Sequence, residues 1–276
     1  MLKLLDVIED KLNKLFLFET QDGYTIEGVF YRGNTLCISS QVGCNIRCIF
    51  CASGSKGFFR NLTYEELLMQ YKLAQKYLRG KISNIAIAGI GEPLLNFENV
   101  VKALSMFKAE GLKVTISTTA YPLKNFKKLF SLNHNGVTIS FHAGLEETRK
   151  KIIPVSESLE DIKKVLMENL KNVSSRQRKK YQLGYLLIEG INDDYENLRA
   201  FAEFASSLKL QVQLMMLNKV EGKPYNPVSE KKYLEIFKFL KSYGLVVTLS
   251  NRYRINKLGG CGTLCVNRWK KGLSKV

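Results

Sequence analysis

The chain has 276 residues and 45% hydrophobic content, enough to bury a full core as one large domain or two small ones. Its 42 Lys and Arg against 25 Asp and Glu leave a net charge of +17, which points to a polyanion such as nucleic acid, with a merely solubilising lysine-rich surface as the plain alternative. No apolar run approaches the roughly 20 residues that cross a bilayer and no signal peptide is recognisable, so a membrane protein and a small secreted disulfide scaffold are excluded and a cytoplasmic location is expected.

Met1 to Asn13, with Leu2, Leu5, Val7, Ile8 and Leu12 along it, reads as an amphipathic helix. Leu15 to Phe18 and Tyr24 to Tyr31 follow as two strands around Gln21-Asp22-Gly23, whose glycine suits a hairpin turn. Glu27 on the second strand shares a face with Thr25 and Val29 by alternation, and its bland alternative is an ordinary solvent-facing strand residue. A short apolar strand, Leu36 to Ser39, then delivers Cys44-Asn45-Ile46-Arg47-Cys48-Ile49-Phe50-Cys51. Thiolates are natural ligands of iron–sulfur clusters, and a cubane normally takes four, so three without an obvious fourth leave one iron open. Zinc would want a closed tetrahedron, with only His134 and His142 available to complete it. The six cysteines fall at two places, Cys37 to Cys51 and Cys261 with Cys265, a pattern of metal binding or catalysis rather than stapling.

Thr63-Tyr64-Glu65-Glu66 forms a capping box for a helix reaching about Leu78. Ile85 to Ala88 is a strand running into Gly89-Ile90-Gly91-Glu92-Pro93, and Phe97 to Ala109 a helix stopped by Gly111. Strands at Val114 to Ser117 and Val137 to Phe141 alternate with helices at Leu123 to Phe130, Glu146 to Ile152 and Leu159 to Lys171. Tyr181 to Ile188, Tyr195 to Leu208, Val212 to Leu217 and Glu230 to Tyr243 continue the alternation, and Leu245 to Leu249 is a last strand. Such alternation gives parallel strands with right-handed crossovers. About six units are too few for a closed eight-fold barrel, so the expected fold is α/β, an open partial (β/α)6 barrel over 35–250. The N-terminal helix and hairpin occupy 1–34, and a cysteine loop with a basic tail occupies 251–276.

Barrels of this kind do their chemistry at the carboxyl ends of the strands. That rule gathers Cys44 to Cys51, Gly89 to Glu92, Ser117 to Thr119, Ser140 to His142 and Asn218 around one mouth. Each has a bland alternative: Glu92 as a helix-entry acid before Pro93, the serines as turn caps, His142 as a structural imidazole, Asn218 as a turn former. Their shared location is what singles them out. Gly259-Gly260-Cys261-Gly262-Thr263-Leu264-Cys265 lies far along the chain, and its glycines allow Cys261 to be carried into the mouth on a flexible loop.

The Cys-x3-Cys-x2-Cys run resembles the signature of the radical S-adenosylmethionine (SAM) superfamily. Together with Leu36 to Cys44, Phe59-Arg60-Asn61-Leu62-Thr63, Gly89 to Asn96, Ile139-Ser140-Phe141-His142-Ala143 and Cys261-Gly262-Thr263-Leu264, the chain resembles the RlmN/Cfr class of radical SAM RNA methyltransferases. The resemblance implies that Cys44, Cys48 and Cys51 hold a [4Fe–4S] cluster and that Gly91, Glu92, Ser117, Ser140, Phe141, His142 and Asn218 contact SAM. It further implies two SAM molecules per turnover, one methylating Cys261 and one giving a radical that activates that methyl group for attack on an adenine carbon, C2 ahead of C8. Cys37 would release the product through a Cys37–Cys261 disulfide, with Glu27 matching a proton acceptor. A covalent route suits adenine C2 and C8, which are too poorly nucleophilic for direct methyl transfer. Implied partners are ribosomal or transfer RNA and an electron donor such as flavodoxin or ferredoxin, with a monomeric protein.

Several positions depart from the family pattern. Only Met1 to Asn13 precede the shared core, so the family's amino-terminal helical domain is expected to be absent. Cys261-Gly262-Thr263-Leu264 replaces the usual CGQL, Arg252-Tyr253-Arg254-Ile255-Asn256 replaces an acidic segment, no Pro follows Asn218, and Cys265 has no family role. Two basic clusters offer contacts to RNA in compensation: Lys171, Arg176, Arg178, Lys179 and Lys180, and a terminal group of Arg252, Arg254, Lys257, Arg268, Lys270 and Lys271 interleaved with Tyr253 and Trp269. The competing readings are the same chemistry on a different substrate, and a non-enzymatic iron–sulfur or zinc protein that binds nucleic acid.

Overall fold

In the computed structural model, which describes residues 2–251, 253, 255, 256 and 258–267, a ten-stranded sheet carries the whole architecture. It begins antiparallel, with β1 (Lys3–Glu9), β2 (Lys14–Glu19), β3 (Thr25–Tyr31) and β4 (Thr35–Ile38) pairing in sequence. The short strands β5 (Gln41–Gly43) and β6 (Phe58–Asn61) pair only with each other. From β4 onward the sheet is parallel, through β7 (Asn84–Ile87), β8 (Lys113–Thr118), β9 (Gly136–Ser140), β10 (Tyr181–Leu187), β11 (Gln211–Met216) and β12 (Val247–Leu249).

Helices follow these strands in turn. They are α1 (Tyr64–Tyr77), α2 (Phe97–Ala109), α3 (Leu123–Leu129), α4 (Glu146–Ile152), α5 (Leu159–Leu170), the short α6 (Ser175–Arg178), α7 (Tyr195–Ser207) and α8 (Glu230–Ser242). The strands β4, β7, β8, β9, β10 and β11 each feed a helix, and β1 and β12 stand at the two edges of the sheet, consistent with the expected open six-unit barrel. Among the described residues no helix is long and apolar enough to cross a membrane.

The expected N-terminal helix does not form; Lys3–Glu9 is an edge strand. Its register on β2 slips between Leu4 and Asp6, so Leu4 faces Phe18 while Val7 and Ile8 face Phe16 and Leu15. The extra residue at the bulge puts Leu4 and Val7 on the same face, over Phe18 and Phe16, while Ile8 takes the opposite face with Leu15, and all three pack on the core. An i, i+3, i+4 spacing is therefore produced by a bulged strand.

Alternation along the parallel strands separates two faces. Leu36 and Ile38, Ile85 and Ile87, Val114 and Ile116, Val137 and Ile139 are all buried, and they pack with Leu67 and Tyr71 of α1 and Val100, Leu104 and Phe107 of α2. Each such side chain removed from water contributes about 2 kcal/mol. The residues between them line the other, concave face in one row: Val29 stands opposite Cys37, Cys37 opposite Ala86, and Ala86 opposite Thr115. Cys37 thus points into the barrel, away from the helices.

Candidate active site

The cysteine loop leaves the sheet after β4 and is closed at its base by the β5–β6 pair. Gly43 has φ +83°, and a Cβ there would lie 2.1 Å from Gly57 O, so only glycine fits where Cys44 N–H donates to Gly57 O at 3.0 Å. Within the loop, Cys51 N–H donates to Cys48 O at 3.1 Å. Ile46 anchors the loop in a second apolar cluster with Ile152, Ile153, Leu186, Ile188, Met215 and Leu217, and Cys44, Cys48, Ile49 and Phe50 pack against it. Burial pushes the Cys44 thiol up to about 12, with neighbouring Cys51 adding to the shift. The Cys48 thiol is likewise pushed well up, through burial first and then through Cys51 and Cys44. Three ionised thiols in this apolar setting repel one another unless a cationic centre binds them.

The strand ends converge as expected. Glu92 is fully buried, which raises its pKa, and both carboxylate oxygens are engaged: Oε1 accepts from Thr118 Oγ1 and Leu94 N, Oε2 from Thr119 N and Thr119 Oγ1 at 2.8 and 2.9 Å. Its backbone N–H donates to Gln41 Oε1 at 2.8 Å. Glu92 therefore welds the ends of β7 and β8 and caps the turn at Pro93–Asn96, while Gly91, at φ +105° with Gln41 close against it, brings backbone to the mouth. Ser117 and Ser140 are half-buried at their strand ends. The Phe141 ring belongs to the core, stacked on Phe204 at 4.6 Å, so what it offers the mouth is backbone.

His142 follows at φ +59°. Its Nδ1 accepts from Leu186 N–H at 3.1 Å, its carbonyl accepts from Asn192 Nδ2 at 2.7 Å, and its ring meets Phe50 edge-on at 5.5 Å. Burial, with Arg149 nearby, pulls its pKa down to about 3, so the imidazole is neutral and holds the cysteine loop against β10. Arg149 from α4 was not singled out by sequence, where it is one of three basic residues in Arg149-Lys150-Lys151. It is fully buried and donates to Ser140 O, Phe141 O and Thr119 O at 3.1, 2.7 and 2.8 Å.

The glycine-rich C-terminal loop is held in place rather than loose. Asn13 Nδ2 donates to Tyr253 O and Leu258 O, Ala52 N–H to Gly262 O at 2.8 Å, and Ser53 Oγ to Leu264 O at 2.8 Å. Asn218 Nδ2 donates to Cys261 O at 3.0 Å and its Oδ1 accepts from Asn256 N–H, so Asn218 anchors this loop. Cys261 is exposed beside the cluster loop. Glu27 is not solvent-facing: it is fully buried because this loop covers it, and its Oε2 accepts from Cys265 N–H at 2.9 Å. Alternation places a residue on a face but says nothing of what lies over that face.

Comparison with known proteins places these features in a family. The sequence model of the Radical SAM superfamily matches residues 38–202. A dual-specificity RNA methyltransferase RlmN of Lawsonia intracellularis is 35% identical over 91% of this chain and 75% of its own length. This chain belongs to the RlmN family of radical SAM methyltransferases. A probable RlmN of Thermotoga maritima is 33% identical over 98% of the chain and 81% of that protein. A radical SAM methyltransferase structure from Sphaerobacter thermophilus superposes with a TM-score of 0.86 at 26% identity, covering 95% and 81% of the two chains.

RlmN membership implies a [4Fe–4S] cluster and SAM as cofactors. The donor set fits: three thiols lie on one short loop, of which Cys44 and Cys48 pack on apolar residues and have their pKa raised by that burial. In a cubane each thiolate takes its own iron, so three thiols on one loop suit three of its four corners. Arg252, Arg254, Lys257, Arg268, Trp269, Lys270 and Lys271 lie outside the described residues. In the other basic cluster Arg178 donates to Leu208 O and Leu170 O, and Lys180 Nζ to His134 O, so these two cations also close helix and strand ends.

Proposed function

We propose that this RlmN-family protein methylates an adenine carbon in ribosomal or transfer RNA, C2 ahead of C8, through a methyl-cysteine and a covalent RNA adduct. Cys44, Cys48 and Cys51 would hold the cluster, which supplies the electron for reductive SAM cleavage. Gly91, Glu92, Ser117, Ser140, Phe141, His142 and Asn218 would form the SAM wall, with Gly91 and Phe141 contributing backbone and Glu92, His142 and Asn218 fixing its shape. Two SAM molecules per turnover and a one-electron donor of the flavodoxin or ferredoxin type complete the scheme.

The observation that carries this reading is the approach of the two outlying cysteines to one face. Cys37 points into the barrel from β4, directly opposite Val29. The Cys261 loop lies over that same Val29, since a Cβ on Gly259 would sit 2.5 Å from Val29 Cγ2. Cys261 Sγ would carry the transferred carbon, Cys37 would remove the proton from the adduct and release the product by bonding to Cys261, and Glu27 would match the family's proton acceptor. The +17 charge suits an RNA substrate.

With no Cys37 to resolve it, the adduct should persist. Cys37→Ala purified from its host is expected to carry covalently bound RNA, whose sequence names the target. Protein free of nucleotide by mass spectrometry, with the cluster intact, would count against RNA and favour the same chemistry on another substrate.

A further inference from the structure

Cys265 has no counterpart in the family motif, yet it sits in the catalytic face. The carboxylate of Glu27 accepts its backbone N–H at 2.9 Å, and Glu27 Oε1 lies 4.0 Å from its Sγ. Residues opposite each other in an antiparallel pair share a face, and alternate residues on one strand do likewise. Cys37, Val29 and Glu27 are therefore on one side of the β3–β4 pair. The C-terminal loop approaches that side at two points, with Gly259 over Val29 and Cys265 over Glu27. The loop is held midway by Asn218 on Cys261 O and, just beyond Cys265, by Asn267 N–H on Thr25 O at 3.0 Å.

We infer that Cys265 is a third reacting thiol, which takes over Cys37 from the Cys37–Cys261 disulfide and so frees Cys261 for its next methyl group. The inference rests on the methylation chemistry proposed above. Glu27 takes the Cys265 proton, and the resulting thiolate attacks Cys37 Sγ. The Cys37–Cys261 bond breaks as a Cys37–Cys265 bond forms, and Cys261 leaves as a thiolate. No electrons are gained or lost in the exchange; a dithiol reductant then supplies the two that open the Cys37–Cys265 bond. Attack at Cys37 is the productive direction, because a Cys261–Cys265 bond would block the methyl-accepting sulfur.

Two measurements on the cluster-loaded protein test this. Cys261→Ala, at an exposed position, is treated anaerobically with oxidised glutathione, alkylated, digested and analysed by tandem mass spectrometry; a Cys37–Cys265 bridge is expected. Cys265→Ala keeps the backbone N–H on Glu27 and removes only the thiol. Under limiting dithiol, its ratio of steady-state to single-turnover rate should fall about fivefold or more below that of the unsubstituted protein. Absence of the bridge, or an unchanged ratio, overturns the inference. If Cys261 in the unsubstituted protein never acquires a methyl group, the proposed reaction itself fails; a methylated Cys261 with no Cys37–Cys265 bridge removes the role of Cys265 alone.

Discussion

At the residue scale, His142 shows how an imidazole beside the Cys44–Cys51 loop serves through neutrality. Its Nδ1 accepts the Leu186 N–H, which protonation would replace with a clash of donors, and burial brings its pKa from the ordinary 6.5 to about 3. A folded pKa below the unfolded one contributes stability that is complete above pH 6.5 and is lost as the pH falls towards 3. Between pH 7 and 5 this group alone should cost the fold about 2 kcal/mol. Asparagine tolerates the left-handed backbone at this position and does not titrate. His142→Asn should therefore be less stable than the parent at pH 7 but lose about 2 kcal/mol less on going to pH 5. Urea denaturation of both proteins at the two pH values measures this; parallel losses would mean that His142 is charged in the fold. His134, whose pKa burial lowers to about 4, is present in both proteins and cancels.

At the scale of elements, α4 matters through one side chain. Arg149 reaches from the helix to the carbonyls of Thr119, Ser140 and Phe141, so it ties the ends of β8 and β9 together behind the proposed SAM site. Burial lowers its pKa only to about 10, which leaves it cationic at neutral pH. Arg149→Met would strand three buried carbonyls and should destabilise the protein by about 3 kcal/mol or more, with weaker SAM binding because the strand ends loosen. Denaturation midpoints and calorimetric titration with SAM check both; a variant as stable as the parent would show the carbonyls to be satisfied by other donors. Helices α2 and α4 were legible residue for residue from local signals, the apolar spacing and Gly111 stop of α2 and the acidic first turn and basic last turn of α4. β1 was not, since its bulge mimics helical spacing and its true signal is the pairing with β2. Arg149 was hidden because nothing in Arg149-Lys150-Lys151 marks which cation turns inward.

For the molecule as a whole, the strand-end rule located the mouth, and long-range packing decided what each residue does there. Glu27 is buried by a loop 238 residues further on, and Asn218 holds that loop through Cys261 O, relations no local pattern encodes. Charge acts at the same global scale. A net +17 on 276 residues means that binding to the proposed RNA substrate should release condensed counterions, and the affinity should fall linearly with salt on a logarithmic plot. Each neutralised phosphate contributes about −0.7 to −0.9 to that slope, so even two or three contacts lower affinity about tenfold between about 50 and 200 mM salt. Fluorescence anisotropy with a ribosomal RNA hairpin across that range measures the slope. A steep negative slope supports a phosphate-tracking surface, and dividing it by the contribution per phosphate counts the contacts. A flat response would mean that the basic excess only solubilises the protein and that substrate is held by the mouth alone, which would shift the choice of substrate from RNA towards a small molecule.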